Sequence, residues 1–193
     1  FTIPSNTIVT INNTLQMLPT YMGAYFVFWE YGKENVTIDG KGTIAGDNKY
    51  HLYISPYAGK NYYGEWGVIF KCIKCKNFVF RGVTIKDAFG DCLAFSGSHL
   101  PNEYGRRYAD GLLVENVKIL SARRNGVTIG ARNVIIRNCH FEGCGNETAK
   151  GTPPKCAIDF EPDGIRHYSE IGNQNVLLEH CTFKDNYFDV GSS

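Results

Sequence analysis

The chain has no long apolar run and almost no net charge. No stretch of eighteen apolar residues occurs among its 193 residues, so the sequence contains no candidate membrane-spanning helix. Twenty Lys and Arg residues are balanced by nineteen Asp and Glu residues, which gives a formal charge of +1. That balance gives no indication of a nucleic-acid partner or of an acidic solvating tail, but it is compatible with a local basic groove.

The cysteines also exclude one class of protein. Seven is an odd number, so the chain is not a scaffold in which every cysteine has a disulfide partner within the chain. Cys72 and Cys75 form a CxxC, but no second pair and no His pair follows at zinc-finger spacing. We therefore expect no structural metal. No charged and apolar leader follows Phe1, so we expect a secretion signal to be absent or already removed.

The sequence has enough apolar residues for one core and many residues that suit turns. Apolar residues make up 43% of the chain, and we expect residues 1–193 to form a single domain. Twenty-one glycines and 13% aromatic residues are typical of a β-protein with many tight turns.

Five segments repeat one pattern, a short apolar run that a second short run follows. They are residues 35–38, 77–80, 111–114, 133–136 and 175–178. The starts are separated by 42, 34, 22 and 42 residues, so the shortest interval gives the bare repeat and the longer ones contain insertions. This pattern predicts an all-β, right-handed single-stranded parallel β-helix of about five to seven coils with loop insertions.

Within each repeat the apolar residues alternate and then change phase. In residues 133–143, Val134 and Ile136 precede the change at Asn138, and Cys139 and Phe141 follow it. A phase change indicates a turn between two strands that both direct side chains inward. Aligned repeats place Cys139 and Cys181 in the column of Val83 and Val117, and we interpret both as buried core thiols.

A third run follows each pair of strands. Asp91 and Asn125 each lie fourteen residues after a repeat start, and residues 156–160 fit the same column. Residues 66–70 fit it one coil earlier. Residues 1–34 are predicted to form a first coil or cap. The C-terminal residues resemble the beginning of another coil, so we expect a piece of a longer protein or a subunit of a larger assembly, with a homo-oligomer as one form.

Polar residues cluster near that column and form the candidate site. Asp159 lies between two apolar residues, so strand alternation directs it outward, with Glu161 about 7 Å away on the same side. Two such acids can divide the acid and base roles of catalysis. The candidate catalytic residues are Asp159, Glu161, Asp91 and Glu65. The candidate substrate-binding residues are Arg123, Arg124, Asn125, Trp66, His51, Tyr63 and Arg107.

A purely structural interpretation stays open for these residues. Asp and Asn at turns often bond the backbone, and an Arg beside acids can form a stacked ion pair. The insertions favour a binding site, because Tyr-rich residues 48–64 and Arg-rich residues 98–109 suit sugar rings and acidic substituents. Exposed aromatic residues would equally suit a protein interface.

The motifs resemble those of a known superfamily. Residues 35–44, the Gly90-Asp91 turn, residues 123–126 and residues 157–162 are similar to segments of the right-handed β-helix, pectate-lyase-like superfamily. The chain most resembles its bacterial and phage carbohydrate-active proteins, which contain GDR-, HEWG-, GDG-, RRQG- and GIDIEPN-type segments. Here Asn48 replaces the Arg of the first segment, no His precedes Glu65, and Asn125 replaces Gln. The resemblance implies a polysaccharide or oligosaccharide partner and an extracellular, periplasmic or virion-associated location.

Three functions follow from these residues. The first is a glycoside hydrolase, with Asp159 or Glu161 as the acid and Asp91 or Glu65 activating water or attacking carbon. The second is a lyase or uronate epimerase, with Arg123 or Arg124 neutralising a sugar carboxylate. The third is a non-catalytic glycan-binding or structural β-helix of the phage tail or adhesin type. We expect no cofactor, except Ca²⁺ if the reaction resembles that of a lyase.

Overall fold

The chain folds into a stack of short parallel strands. The computed structural model describes residues 1–51, 66–97, 108–146, 153–161 and 173–192. Their strands are β1 (Thr7–Ile11), β2 (Thr14–Gln16), β3 (Ala24–Tyr31), β4 (Glu34–Gly40), β5 (Thr43–Ala45), β6 (Trp66–Ile73), β7 (Lys76–Arg81), β8 (Thr84–Lys86), β9 (Leu93–Ser96), β10 (Ala109–Glu115), β11 (Lys118–Leu120), β12 (Val127–Ile129), β13 (Ala131–Arg137), β14 (His140–Glu142), β15 (Cys156–Phe160), β16 (Gln174–Glu179), β17 (Thr182–Lys184) and β18 (Phe188–Ser192). The described residues also contain one 3₁₀ turn, Asn48–Tyr50.

Every third strand belongs to the same sheet. The first sheet has the order β1-β4-β7-β10-β13-β16, the second β2-β5-β8-β11-β14-β17 and the third β3-β6-β9-β12-β15-β18, and the paired strands are parallel. Six coils therefore stack along one axis in the described part of the chain. The prediction of a right-handed parallel β-helix is confirmed, and residues 1–34 contain the strands of the first coil.

Most of these coils begin with an asparagine in the left-handed backbone conformation. Asn35, Asn77, Asn133 and Asn175 have φ between 53° and 55°, and Gly111 takes the equivalent place with φ of 76°. Asn tolerates this left-handed backbone better than other residues that have a Cβ atom. The Asn77 side chain donates to Asn35 (2.9 Å), and that of Asn175 donates to Asn133 (3.0 Å). The turns thus form a hydrogen-bonded ladder along the stack.

Aromatic and aliphatic side chains fill the interior. Phe28 stacks on Phe70 with ring centroids 4.3 Å apart, and Phe70 meets the edge of Phe80 at 5.0 Å. Burying each side chain of this size contributes about 1.5–3 kcal/mol. Cys139 is buried and Cys181 is partly buried against the same core, so both are core thiols as predicted. Burial raises the pKa of Cys139 to about 12, so its thiol stays protonated.

The third sheet has an unusual alternation that positions the site. At one point in each of four successive coils, two neighbouring residues both face the core: Ile69–Phe70, Cys92–Leu93, Gly126–Val127 and Ala157–Ile158. The residues on either side of these pairs face outward and form two columns. The first outward column contains Phe26, Val68, Asp91, Asn125 and Cys156. The second outward column contains Trp29, Lys71, Ala94, Thr128 and Asp159.

The register of β6 corrects one sequence-based alignment. Matching residues 66–70 to residues 91–95 end to end would place Trp66 in line with Asp91. In the structure Phe70 pairs with Leu93, so Val68 lies beside Asp91 and Trp66 precedes the column by two residues. A shift of two residues preserves the strand alternation, so the apolar pattern alone did not reveal it.

Candidate functional site

Asp91 lies at the centre of the candidate site. Its carboxylate accepts hydrogen bonds from Arg124 Nη1 (3.0 Å), the Asn125 backbone N–H (3.1 Å) and Thr128 Oγ1 (2.8 Å). The Asp91 side chain is only 2% exposed and that of Arg124 9%. Buried charges are tolerated when they are paired and hydrogen-bonded, and this pair meets both conditions.

Arg124 joins Asp91 to the next coil. Its Nη2 lies 3.4 Å from Glu161 Oε1, and its Nε donates to the Pro153 carbonyl oxygen at 3.3 Å. The Glu161 side chain is 24% exposed, more than either partner of the buried pair. One guanidinium therefore connects a buried carboxylate to a partly exposed carboxylate.

Asn125 joins Asp159 to the same group. Its Nδ2 donates to Thr128 Oγ1 (3.0 Å) and to Asp159 Oδ2 (3.4 Å), and its Oδ1 accepts from the Cys156 backbone N–H (3.0 Å). Asp159 faces outward from the sheet as predicted, yet it is completely buried. The outer face of the sheet is thus not open to solvent at this position.

Lys71 belongs to the site and was missed by sequence reasoning. Burial lowers the pKa of its ammonium, while the charges of Asp91 and Glu161 act in the opposite direction. Its neighbour in the second outward column is Ala94, whose small side chain leaves room for Lys71 to approach the acids. The correct register of β6 was the signal needed to find Lys71. Thr128, an outward polar residue between buried Val127 and Ile129, was visible in the strand pattern.

A second polar cluster lies beside the first three coils. The Asp47 carboxylate accepts hydrogen bonds from the Tyr25 hydroxyl, from His51 Nδ1 (2.9 Å) and from the Thr20 backbone N–H (3.0 Å). Burial would raise the pKa of Asp47, but the hydrogen bonds from His51, Tyr25 and Thr20 outweigh it and the pKa is lowered. Burial and the bond to Asp47 raise the pKa of Tyr25 well above its usual value.

Aromatic stacking connects that cluster to Arg123. The His51 ring stacks on Phe89 with centroids 3.6 Å apart, and the Arg123 guanidinium lies 4.2 Å from the Phe89 ring centroid. Arg123 is almost fully buried. The structure therefore directs the two neighbouring arginines to different groups, Arg124 to the acids and Arg123 to Phe89.

The other predicted residues have varied positions. His51 is buried, whereas the Trp66 side chain is among the exposed aromatic residues at the beginning of β6. Glu65, Tyr63 and Arg107 lie outside the described residues. Among the described residues, no group of three or more His, Cys, Asp or Glu side chains is arranged to bind a metal ion. Those residues also include no helix with the length and apolarity to cross a membrane.

One known protein resembles this chain in sequence and another in structure. No family model matches the sequence. The chain is 26% identical over 189 residues to the SPbeta prophage-derived uncharacterized protein YorA of Bacillus subtilis (strain 168). That match covers 95% of this chain but only 31% of the prophage protein, so the chain spans about a third of its relative's length.

A solved structure has a similar arrangement of strands. It is described as a "putative glycosyl hydrolase" from Parabacteroides merdae ATCC 43184, and it superposes with a TM-score of 0.65 at 16% sequence identity. The superposition covers 94% of this chain and 74% of the other. At this identity the likeness shows a shared fold, and the chemistry must be argued from the residues themselves.

Proposed function

We propose that this chain is a polysaccharide-active enzyme of the glycoside hydrolase class. The observation that supports it best is the bridge from Asp91 through Arg124 to Glu161, with Asp159 joined through Asn125. Several acids in one partly buried polar group can be given different protonation states by their surroundings, as acid–base catalysis at a glycosidic bond requires. The fold shared with the protein described as a "putative glycosyl hydrolase" is consistent with this class.

Glu161 is the proposed proton donor to the leaving-group oxygen, because its side chain is the more exposed of the two acids that contact Arg124. Asp91 is the proposed second carboxylate. Because one guanidinium contacts both groups, their nearest oxygens lie less than about 9 Å apart, compatible with the separations of about 5 to 9.5 Å in glycosidases. Asn125 and Thr128 hold Asp91 and Asp159 in place.

Polysaccharide digestion tests the proposal directly. The protein is incubated with polygalacturonate, alginate, xylan and a soluble cellulose derivative, and both reducing ends and absorbance near 232 nm are measured. Hydrolysis releases reducing ends without absorbance, and Glu161→Gln should reduce the rate by at least about a hundredfold. Glu142→Gln is the matched control, since Glu142 is a partly exposed acid in the second sheet. Equal rates for Glu161→Gln and the unchanged chain would contradict the role of Glu161.

A second candidate function is β-elimination or epimerisation on a uronate chain. The observation that favours it is Lys71, a partly buried amine with a lowered pKa that shares its surroundings with Arg124. An amine with a lowered pKa is suited to take a proton, while Arg124 would neutralise the sugar carboxylate. Reducing ends together with absorbance near 232 nm would favour elimination. Binding without product in any assay would leave a glycan-binding β-helix.

A further inference from the structure

The outer face of the first sheet carries a column of mostly aliphatic side chains. One outward residue of each strand lies in register with the next, from the first coil to the sixth. This aliphatic column consists of Ile8, Thr37, Val79, Leu113, Ile135 and Leu177. Ile8 is 70% exposed, Ile135 36% and Leu177 47%, and the other three are half-buried. An apolar stripe that continues through six coils indicates a surface that binds a partner.

Charged residues of alternating sign lie on both sides of the aliphatic column. The first charged column, two residues further along each strand, consists of Thr10, Asp39, Arg81, Glu115, Arg137 and Glu179. The second charged column, on the other side, consists of Glu34, Lys76, Asp110, Arg132 and Gln174. Within one copy the alternation places opposite charges side by side, and Glu115 contacts both Arg81 (2.9 Å) and Arg137 (2.6 Å). The order of the signs also determines which second surface can face this one.

We propose that this face binds the same face of a second copy of the chain, and that a two-fold axis parallel to the strands relates the two copies. The two β-helices then lie antiparallel, with the first coil of one copy opposite the sixth coil of its partner. The axis passes between the third and fourth coils, so all six coils of each copy take part. This inference concerns assembly and does not depend on the proposed function.

The two-fold axis places opposite charges across the interface. Arg81, in the third coil, faces the partner's Glu115, and Asp39, in the second coil, faces the partner's Arg137. The second charged column follows the same rule, with Glu34 opposite the partner's Arg132 and Lys76 opposite the partner's Asp110. In these two columns every charge therefore has an opposite charge or a neutral residue across from it.

Other arrangements of two copies place like charges together. A shift of the antiparallel copies by one coil puts Arg81 opposite the partner's Arg81. A parallel arrangement puts the first charged column opposite the second, so that Arg81 faces the partner's Lys76 and Glu115 faces the partner's Asp110. Like charges across an interface cost binding free energy and reject the wrong arrangement. The charges therefore select the antiparallel arrangement, and a partner of unrelated sequence would need the same series of signs.

The aliphatic column supplies the apolar contact between the copies. Val79 faces the partner's Leu113 beside the axis, and Ile8 faces the partner's Leu177 at each end. Six strands about 4.8 Å apart, each contributing about 17 Å of its length, give a total buried area of about 1,000 Å², the lower limit for a specific interface. The charged columns lie at the rim, where water still screens them, so they determine the arrangement more than the affinity. We expect a dimer that dissociates at about micromolar concentrations.

The mass of the protein in solution tests the inference. Sedimentation velocity and light scattering, from about 1 to about 500 µM protein, should show a monomer–dimer equilibrium. Leu113→Asp should weaken the dimer at least about a hundredfold, because it places two carboxylates in the apolar contact beside the axis. Leu120→Asp is the matched control, since Leu120 is an equally half-buried leucine on the outer face of the second sheet. Thermal unfolding of each variant verifies that the fold is intact.

Charge reversal tests the two-fold pairing itself. Arg81→Glu alone and Glu115→Arg alone each place like charges opposite each other twice per dimer, so each variant should dimerise about tenfold more weakly. An equimolar mixture of the two variants should form a heterodimer with at least the affinity of the parent dimer. In that heterodimer one copy carries the acids at both positions and the other carries the arginines.

Three results would overturn the inference. The first is a monomer at every concentration. The second is a dimer that Leu113→Asp leaves intact, because such a dimer would use another face. The third is a dimer that Leu113→Asp dissociates but that the mixture of charge variants does not restore, which would exclude the two-fold arrangement.

Discussion

The outer faces of the first and third sheets carry similar charges in opposite surroundings. On the first sheet, Glu115 accepts hydrogen bonds from Arg81 (2.9 Å) and Arg137 (2.7 Å), and both arginine side chains are about half-exposed. On the third sheet, the Asp91–Arg124 pair is almost completely buried. The strand pairing is the same on both faces, so burial alone distinguishes a surface ion pair from the centre of a candidate site.

The ion pairs of the two faces differ in what they contribute to stability. An ion pair in water contributes little, because solvent and salt already screen both partners. A buried pair must offset a desolvation cost, and Asp91 does so with two further hydrogen bonds, from Asn125 and Thr128. Buried titratable groups with several partners cluster at functional sites. We therefore place the candidate site on the third sheet.

The largest effect is expected when the buried pair is broken. Arg124→Ala leaves the Asp91 carboxylate without its cation, and we expect the free energy of unfolding to fall by about 3–5 kcal/mol and any glycan cleavage to be lost. Urea denaturation followed by circular dichroism measures the first effect. The double variant Arg124→Met/Asp91→Leu should recover most of the stability without the activity. A loss below about 1 kcal/mol for Arg124→Ala would contradict the proposed difference between the faces.

A smaller effect is expected at the asparagine ladder of the first sheet. Asn133 has φ of 54° and accepts a hydrogen bond from Asn175, so Asn133→Ala should cost about 1–2 kcal/mol, chiefly from the left-handed backbone. Asn133→Gly separates the two contributions, because glycine accepts this φ but cannot form the ladder. Urea midpoints of the two variants provide the measurement. Equal losses would attribute the effect to the ladder and not to the backbone.

A pH-dependent effect is expected from Asp47, beside the third sheet. Its pKa is lower in the folded protein than in the unfolded chain, so its contribution to stability is present above the unfolded pKa and is lost as the pH falls through the folded pKa. Asp47→Asn should remove this contribution at neutral pH, and its stability should vary less than that of the parent chain as the pH falls through the carboxyl range. Urea midpoints across that range test this. Parallel curves for variant and parent would contradict it.

The smallest effect is expected at the ion pairs that Glu115 forms on the first sheet. Hydrogen bonds from Arg137 and Arg81 lower the pKa of Glu115, so its contribution to stability is also lost as the pH falls. Because both arginine partners are about half-exposed and solvent screens the pairs, Glu115→Gln should change the thermal midpoint only slightly at low ionic strength and not at all in 1 M salt. A change that persists in high salt would show that the two faces differ less than we infer.

Sequence reasoning found the coils but only part of the site. The asparagines at the repeat starts and the alternating apolar residues predicted the stack, because both are local properties of each coil. Asp91, Asn125 and Asp159 were predicted to share a face, and hydrogen bonds join them in the structure. Lys71 was missed. Its place beside the acids depends on the register of β6, and a two-residue shift leaves the apolar pattern unchanged.

The sequence by itself determined the repeat, the parallel stacking and the outward direction of Asp159, because the spacing of apolar residues and the backbone preferences of Asn and Gly act over a few residues. The tertiary structure alone decided that Asp159 is buried, and that Arg124 bridges Asp91 and Glu161 while Arg123 packs on Phe89. These outcomes depend on contacts between residues 30 or more positions apart. Such contacts form only when the coils are stacked in register and the polar groups between them are removed from water.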